Sequence, residues 1–314
     1  MTARKMKTIS NRLFKPTLVS LALLFLSGCG ESDLIELQEL ELDEAREAAQ
    51  QEPAVQPAGP AGDNGGVQND QLIDLTQYEL IFSDDFRADS LDSLKWNTAL
   101  EWGPDLRIYD QLQYYVDTQS MPDFGYDPFT FTGEELVITA IQTPDNLRAA
   151  ANEQAWLSGV LTTAETLDFT YGYVEARIDL PSARGAWPAF WMLSSQVVGV
   201  KPELYIMEQD GAYPASVFFN YSYFEEEGTR RQFFDEDIAD GFHQYGVAWS
   251  PKELLFYVDR VPRYRITGNA VSSQKMYMIL NLAMGGVWPG APDGTSGSEV
   301  SMVVDYVRAF QRKP

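Results

Sequence analysis

Short runs in which apolar and polar residues alternate dominate the chain after residue 76. Such alternation is typical of β-strands with one buried face, because successive side chains of a strand point to opposite sides. The clearest runs are Glu135–Ile141, Gly172–Asp179, Ser216–Phe224, Gln244–Trp249, Leu254–Val258, Tyr277–Asn281 and Met302–Phe310. Turn residues such as Gly133, Asp210–Gly211, Ser250–Pro251 and Asp293–Gly294 separate them. With no long amphipathic helix in this region, the pattern predicts an all-β sandwich of two antiparallel sheets, with one concave face open as a substrate cleft.

The N-terminus has a different pattern. Basic residues precede an apolar stretch, Leu18–Leu26, that is short for a membrane span and typical of a signal peptide. The run Leu26–Cys29 resembles the bacterial lipoprotein box, in which the cysteine becomes lipidated. Cys29 is also the only cysteine of the chain, so no intramolecular disulfide can form. We expect residues 1–29 to be a lipoprotein signal peptide and the exported protein to be anchored in the outer membrane; a plain secretory peptide is the alternative.

Residues 30–76 are predicted to be a tether. Leu34–Ala49 is strongly acidic and forms a short helix at most, while Pro53–Gly66 has almost no bulky apolar residue with which to order itself. A partner-binding helix in the first half is the alternative. Residues 77–314 are then one domain, which is large but normal for an all-β sandwich.

Two glutamates, Glu203 and Glu208, bracket an otherwise apolar strand-like run. In a regular strand they would point to opposite faces, whereas a β-bulge between them would bring both to one face. Two carboxylates on one surface suit the cleavage of a glycosidic bond, in which one acts as acid and the other as base or nucleophile. The alternative is a strand with one glutamate at each rim.

The run reads Glu, apolar, Tyr, apolar, apolar, Glu, and Tyr205 occupies its third position. Further blocks follow in order: Ser158–Thr163, Tyr171–Leu180, Trp187–Met192, Phe242–Pro251, Tyr257–Asp259, Asn281–Gly290 and Val304–Val307. From Tyr78 to Gln311 the chain therefore resembles glycoside hydrolase family 16, the laminarinase-like enzymes, whose signature has Asp where Tyr205 stands. The resemblance implies a β-jelly-roll sandwich.

The resemblance also implies retaining hydrolysis, with Glu203 as nucleophile and Glu208 as acid and base, their carboxyls about 5 to 5.5 Å apart. These roles require Glu203 to be ionised and Glu208 to be protonated at rest. The family's Asp hydrogen-bonds the nucleophile; a phenol at Tyr205 keeps a donor but not the charge, and its larger ring narrows the cleft. In Val217–Tyr221 the histidine usual in laminarinase-like members is absent, which leaves the exact linkage open.

Tryptophan side chains are the candidates for sugar binding, because an indole offers a flat apolar face for a pyranose ring. The resemblance directs Trp187, Trp191 and Trp288 to the cleft, and Trp102 is a further candidate. Trp96, Trp156 and Trp249 are expected in the core or at strand ends.

The net charge of −23 makes nucleic acid a poor partner and favours a neutral glycan. Lys201, Arg230 and Arg231, near the paired glutamates, keep a local basic contact open. The single histidine, His243, is expected to support the fold. No cofactor is expected to be required, although family resemblance suggests a structural Ca²⁺ near Asp305; a simple hydrogen-bonding role is the alternative there.

Two hypotheses from different classes follow. The first is a monomeric, membrane-anchored, endo-acting glycoside hydrolase that cleaves a β-1,3-glucan-type polysaccharide. The second is a glycan-binding lipoprotein that retains the cleft without turnover. Both glutamates favour the enzyme, whereas Tyr205 in place of Asp favours the binder. Transglycosylation is a third, weaker option, which uses the same residues.

Overall fold

The structure is a computed structural model that describes residues 72–104, 108–196, 202–223, 226–234, 238–269 and 271–314. The predicted signal peptide, the lipidation site Cys29, the tether up to residue 71 and Lys201 lie outside the described residues. The side chains of Arg230 and Arg231 are likewise outside the description. The predictions made for these positions therefore stay predictions.

The described residues form sixteen strands and two short 3-10 turns, Leu75–Gln77 and Asp145–Leu147. The strands are β1 (Tyr78–Asp84), β2 (Gln113–Tyr115), β3 (Phe129–Phe131), β4 (Leu136–Gln142), β5 (Trp156–Ser158), β6 (Val160–Thr162), β7 (Gly172–Asp179), β8 (Ala186–Ser194), β9 (Glu203–Glu208), β10 (Ser216–Tyr223), β11 (Glu226–Phe233), β12 (Phe242–Ser250), β13 (Glu253–Val258), β14 (Val261–Thr267), β15 (Met276–Met284) and β16 (Glu299–Arg312). Each alternating run found in the sequence coincides with a strand, and the predicted all-β class is confirmed.

The strands make two sheets. The larger has the order β14-β13-β12-β7-β16-β4-β5-β2, with β1 paired to β16 and β3 to β4; the smaller has the order β11-β10-β9-β8-β15-β6. All pairs in these sheets are antiparallel except β2 with β5, which is parallel. The predicted sandwich of antiparallel sheets is therefore present, with one parallel pair at the edge of the larger sheet.

The core lies between the sheets. Phe190, Met192 and Leu280 of the smaller sheet belong to the same buried cluster as Val174 and Val247 of the larger one. Trp96, Trp156 and Trp249 are buried in this cluster too, as predicted. In β8 and β15 every residue is buried, so the outer face of the smaller sheet is also covered along these two strands.

The described chain packs onto the larger sheet before β1 begins. Ile73 and Leu75, which fall in the predicted tether, lie with Tyr78 against the buried rings of Tyr173 and Tyr257. The packed part of the chain therefore starts a few residues earlier than residue 77. Within the described residues, no helix is long and apolar enough to cross a membrane.

A buried carboxylate, Glu175 on β7, is the centre of a hydrogen-bond network in the larger sheet. Arg260 donates to it twice, from Nε at 3.1 Å and from Nη2 at 2.8 Å. The hydroxyls of Tyr173 and Tyr306 donate at 3.0 and 3.3 Å. Four donors thus surround a side chain that is fully buried, as a buried charge requires.

Candidate active site

Strand β9 contains a β-bulge, the arrangement that both glutamates need in order to share one face. Phe190 on β8 lies opposite Met207, yet the next residue, Trp191, lies opposite Tyr205, so β9 fits one extra residue between them. The same shift appears on the β10 side, where Phe218 pairs with Glu208 and Asn220 with Tyr205.

The bulge decides which side chains share a face. Leu204, Ile206 and Met207 all belong to the core between the sheets. Glu203, Tyr205 and Glu208 lie opposite Leu193, Trp191 and Ala189, alternate residues of β8 that face away from that core. Both glutamates and Tyr205 therefore lie on the outer face of the smaller sheet, which forms the cleft.

Glu208 is held as an acid. Its side chain is buried, and burial raises its pKa to about 8, with the charge of Glu203 adding to the rise. The indole Nε1 of Trp187 donates to its Oε1 at 3.1 Å and partly offsets this by favouring the ionised form. At neutral pH the carboxyl therefore carries its proton, as an acid catalyst requires. Glu203, by contrast, is only half-buried.

An aromatic wall stands beside Glu208. Trp187 meets Trp288 edge-on, with ring centroids 5.2 Å apart, and Trp288 meets Phe218 edge-on at 4.8 Å. Tyr109 lies 6.1 Å from Trp187 on the other side. Trp187 is mostly covered, whereas Trp288 is half-buried and open to a ligand.

A strained loop places Tyr109 in this wall. Tyr109 and Asp110 both adopt left-handed φ angles, 54° and 52°, which are costly for residues other than glycine. The backbone N–H of Val287 donates to the Tyr109 carbonyl at 2.9 Å. Gly286 permits this approach, because a Cβ there would lie 2.8 Å from the same carbonyl oxygen and its own φ is +108°. The loop that contains Tyr109 and the loop that contains Gly286 and Val287, which are distant in sequence, thus hold the aromatic wall in place together.

Tyr205 lies between Glu203 and Glu208 on the cleft face. Its ring stacks on that of Trp191 with centroids 4.9 Å apart and an interplanar angle of 5°. Its hydroxyl is hydrogen-bonded to Glu203, and burial, followed by the charge of Glu203, raises its pKa well above the ordinary value. Tyr205 is therefore a neutral donor at any pH at which the protein would work.

Asn281 anchors the other side of Trp191. The indole Nε1 of Trp191 donates to Asn281 Oδ1 at 2.8 Å, and Asn281 Nδ2 donates to the Tyr115 hydroxyl at 3.0 Å. Trp191 is 5% exposed, and Tyr205 covers one face of its ring. In this structure its indole supports Tyr205 and offers little surface to a sugar.

Trp102 lies in a pocket that borders the same cluster. It packs against the group that contains Trp191 and Tyr205, and its indole N–H is buried without a hydrogen-bond partner among the described residues. The pocket is lined by Leu100, Trp102, Gly103, Pro104, Ile108, Gln111, Gln113 and Tyr115. Nearby, Tyr277 donates to Glu101 at 2.8 Å. The four predicted tryptophans are thus all near the cleft face, with Trp288 and Trp102 the less covered.

The two remaining candidates lie in the larger sheet. Asp305 accepts from Arg177 Nη1 at 2.6 Å. Among the described residues, no group of three or more His, Cys, Asp or Glu side chains is gathered that could hold a metal ion. Calcium at Asp305 stays a prediction, and the contact with Arg177 fits the alternative hydrogen-bonding role of this side chain. His243 Nδ1 lies 2.8 Å from Asp259 Oδ2, in keeping with its expected structural role.

Sequence reasoning did not pick out Tyr109, Tyr115, Phe218 and Asn281 as site residues. Asn281 stood inside a matched block, and the strand of Phe218 was noted only for its missing histidine. Tyr109 and Tyr115 come from a segment with no clear periodic pattern. Their positions depend on loop packing and strand register, which no local pattern in the sequence reveals.

The fold and the site together define a class: an all-β jelly-roll sandwich with paired carboxylates and aromatic rings in a cleft on its smaller sheet. The chain belongs to the glycosyl hydrolases of family 16, because the family model matches residues 127–308.

Proteins with similar sequences agree with this assignment. The chain is 36% identical over 248 residues to the endo-1,3-1,4-beta-glycanase EglC of Rhizobium meliloti, covering 76% of this chain and 53% of the relative. It is 30% identical to a beta-glucanase of Rhodothermus marinus, covering 77% and 88%. Among solved structures, the endo-beta-1,3-glucanase of Pyrococcus furiosus superposes with a TM-score of 0.65 at 30% identity, covering 79% and 99%. The chain spans about half the length of the Rhizobium relatives.

Proposed function

We propose that this protein is an endo-acting, retaining glycoside hydrolase that cleaves a β-1,3-glucan-type polysaccharide. The observation that carries the proposal is the β9 bulge, which brings Glu203 and Glu208 to one face, with Glu208 buried enough for its pKa to rise to about 8. A carboxylate and a carboxylic acid side by side are the two groups that this reaction needs.

In the proposed reaction Glu203 attacks the anomeric carbon as the glycosidic bond breaks, and Glu208 gives its proton to the leaving oxygen. This leaves a glycosyl ester on Glu203 and an ionised Glu208. Glu208 then takes a proton from water as that water attacks the same carbon, which releases the sugar and restores both carboxyls. The Trp187 N–H stabilises the ionised form of Glu208 that lies between the two steps.

A neutral β-glucan is the substrate that we favour. The groups described along the cleft are aromatic rings, amides and carboxylates, which suit stacking and hydroxyl recognition rather than binding of an anionic chain. The relatives named above are an endo-1,3-1,4-beta-glycanase, a beta-glucanase and an endo-beta-1,3-glucanase, which supports the same choice. One relative, 29% identical, is a keratan-sulfate endo-1,4-beta-galactosidase of Sphingobacterium multivorum, so a sulfated glycan belongs in the test.

We also propose that the protein is exported as a lipoprotein, anchored through Cys29 in the outer membrane, and works as a monomer. The signal-like segment and the sequence around Cys29 support this part of the proposal. Labelling of the wild type, but not of a Cys29→Ser variant, with a radioactive fatty acid in cells would test it. Label that persists without Cys29 would contradict the anchor.

The second candidate is a glycan-binding protein without turnover. It is favoured by Tyr205, which replaces the charged member of the family's signature with a neutral phenol. Transglycosylation, the weaker alternative, would show itself by longer products instead of new reducing ends.

The experiment measures release of reducing ends by the full chain from a panel of neutral and sulfated β-glycans, with Glu208→Gln as the blank. We expect release from a neutral β-1,3-glucan by the wild type alone. Product lengths identify endo action, and affinity gels with the same glycans measure binding. Binding without release would establish the second candidate and overturn the first.

A further inference from the structure

Tyr205 stands where a carboxylate is expected, so the chain needs another way to hold Glu203. Three observations describe how Tyr205 is placed relative to Glu203: the direction of the Tyr205 side chain set by the bulge, its ring contact with Trp191, and its hydrogen bond to Glu203. Each depends on a different part of the structure. Together they indicate that the residue has a role beyond filling space.

The ring of Tyr205 is tightly fixed. It stacks almost parallel to Trp191, its cross-strand neighbour, while Leu100, Leu193 and Ile279 belong to the same buried cluster. Trp191 cannot turn freely, because its Nε1 is bonded to Asn281 Oδ1, and Asn281 is itself held by Tyr115. A phenol mounted on such a support presents its hydroxyl at a fixed point.

The hydroxyl acts on Glu203. Because Tyr205 is neutral, its hydroxyl donates a hydrogen bond to the Glu203 carboxylate and adds no negative charge between Glu203 and Glu208. An aspartate at this position would bring a third carboxyl into a cluster that already has two.

We propose that Tyr205 is a positioning residue: clamped on Trp191 and Asn281, it fixes and stabilises the Glu203 carboxylate through its hydroxyl, in place of the carboxylate expected there. This inference rests on the proposed function for its kinetic consequence, but the arrangement itself can be tested without turnover.

A test of the Glu203 titration must be able to distinguish Glu203 from the other titratable groups near Tyr205. Glu203 and Glu208 lie beside it on β9, and Tyr109 faces it from the loop before β2. Tyr277 of β15 belongs to the same cluster and binds Glu101. A shift assigned to Glu203 must therefore be identified with a Glu203→Gln variant, which removes that signal alone.

The first test is Tyr205→Phe in the full chain, which removes the hydroxyl and keeps the stacked ring. A lost donor to an ionised group should lower kcat about 10- to 100-fold and leave KM within about twofold. The acidic limb of the kcat/KM profile should move up by about one pH unit, because the carboxylate loses stabilisation. If the acidic limb of the kcat/KM profile lies at the same pH in Tyr205→Phe and in the wild type, the proposal is overturned.

A readout without activity is the titration of glutamate side chains labelled with ¹³C at the carboxyl. In Tyr205→Phe the Glu203 signal should titrate about one pH unit higher than in the wild type. The matched control is Tyr245→Phe, which removes a buried hydroxyl that has no partner among the described residues, in the larger sheet. If the wild type has no turnover but the signal shifts as expected, the function fails and the assignment of Tyr205 stands; an unshifted signal removes that assignment whatever the turnover.

Tyr205→Asp tests whether the position accepts the residue usual in the family. We expect at least a tenfold loss of kcat/KM, because the carboxylate loses the Trp191 stack and adds charge beside two glutamates. Activity equal to or above that of the wild type would show that the tyrosine is a damaged position and not a clamp.

Discussion

Two buried glutamates, one in each sheet, are surrounded in opposite ways. Glu175 in the larger sheet receives four hydrogen bonds, two of them from Arg260, whose pKa those bonds raise further. Glu208 in the smaller sheet is hydrogen-bonded by a neutral donor, the Trp187 indole, and burial raises its pKa to about 8. Burial is similar, so the hydrogen-bonding partners decide the difference: the charge of Glu175 is compensated, whereas Glu208 has too few donors to favour its charge and remains a proton donor.

The largest expected effect on turnover comes from replacing Glu203, the other carboxylate of the site. Glu203→Gln keeps the shape of the side chain but removes the nucleophile, so turnover should fall by about 10⁴-fold while glycan affinity stays within a few-fold. Release of reducing ends and affinity gels measure the two quantities. Turnover close to that of the wild type would refute the assigned mechanism.

Glu208→Gln is expected to lower turnover by about 10²- to 10⁴-fold, because the proton donor is lost. It should also change stability. The folded-state pKa of Glu208, about 8, lies above its ordinary value of 4.5. Stability from the buried neutral acid is thus complete below about pH 4.5 and is lost as pH rises through about 8.

Glutamine does not ionise, so Glu208→Gln should unfold at a higher temperature than the wild type at pH 9, with a smaller difference at pH 5. Thermal unfolding at both pH values measures this. A variant that is less stable than the wild type at pH 9 would show that the Glu208 charge is compensated in the folded protein after all.

The same substitution in the other sheet should have the opposite sign. Glu175→Gln leaves Arg260 without its counter-charge, and we expect a loss of about 3 kcal/mol in the free energy of unfolding, at the low end for a broken buried pair. The low end applies because the Arg260 side chain keeps 34% exposure. Denaturant unfolding measures the loss, and kcat of the folded fraction should stay within about twofold.

If Glu175→Gln were as stable as the wild type, the contrast drawn between Glu175 and Glu208 would be contradicted. The hydrogen bonds to Glu175 would then contribute nothing to the free energy of unfolding. Glu253→Gln is a matched control in the same sheet. Its partner is Arg265 at 2.8 Å, but both side chains are more than a third exposed, and such a pair is worth about 0 to 1 kcal/mol.

The sequence pattern singled out Glu208 but not Glu175. One criterion, whether a charge interrupts an apolar run, explains both outcomes. Glu203 and Glu208 interrupt an apolar run, and that conflict between burial and charge drew attention to them; a bulge with a shared face was one of two alternatives, and the family resemblance favoured it. Glu175 lies in an alternating strand, where a polar residue is expected to face solvent. It is buried because Arg260 and Tyr306, distant in sequence, close over it. The Tyr205–Trp191 stack was likewise hidden, since it depends on the register of β9 against β8.

The smallest expected effect comes from removing the hydrogen bond that Trp187 donates to Glu208. Trp187→Phe keeps an aromatic ring against Trp288 but removes the donor that favours the ionised carboxyl, so the pKa of Glu208 should rise above its value of about 8. The basic limb of the kcat/KM profile should then move to higher pH by about half a unit. The control is Trp249→Phe, which removes an indole donor to Ser272 in the core and should leave the limb in place. A limb that moves to lower pH, or moves equally in both variants, would show that Trp187 does not set the acidity of Glu208.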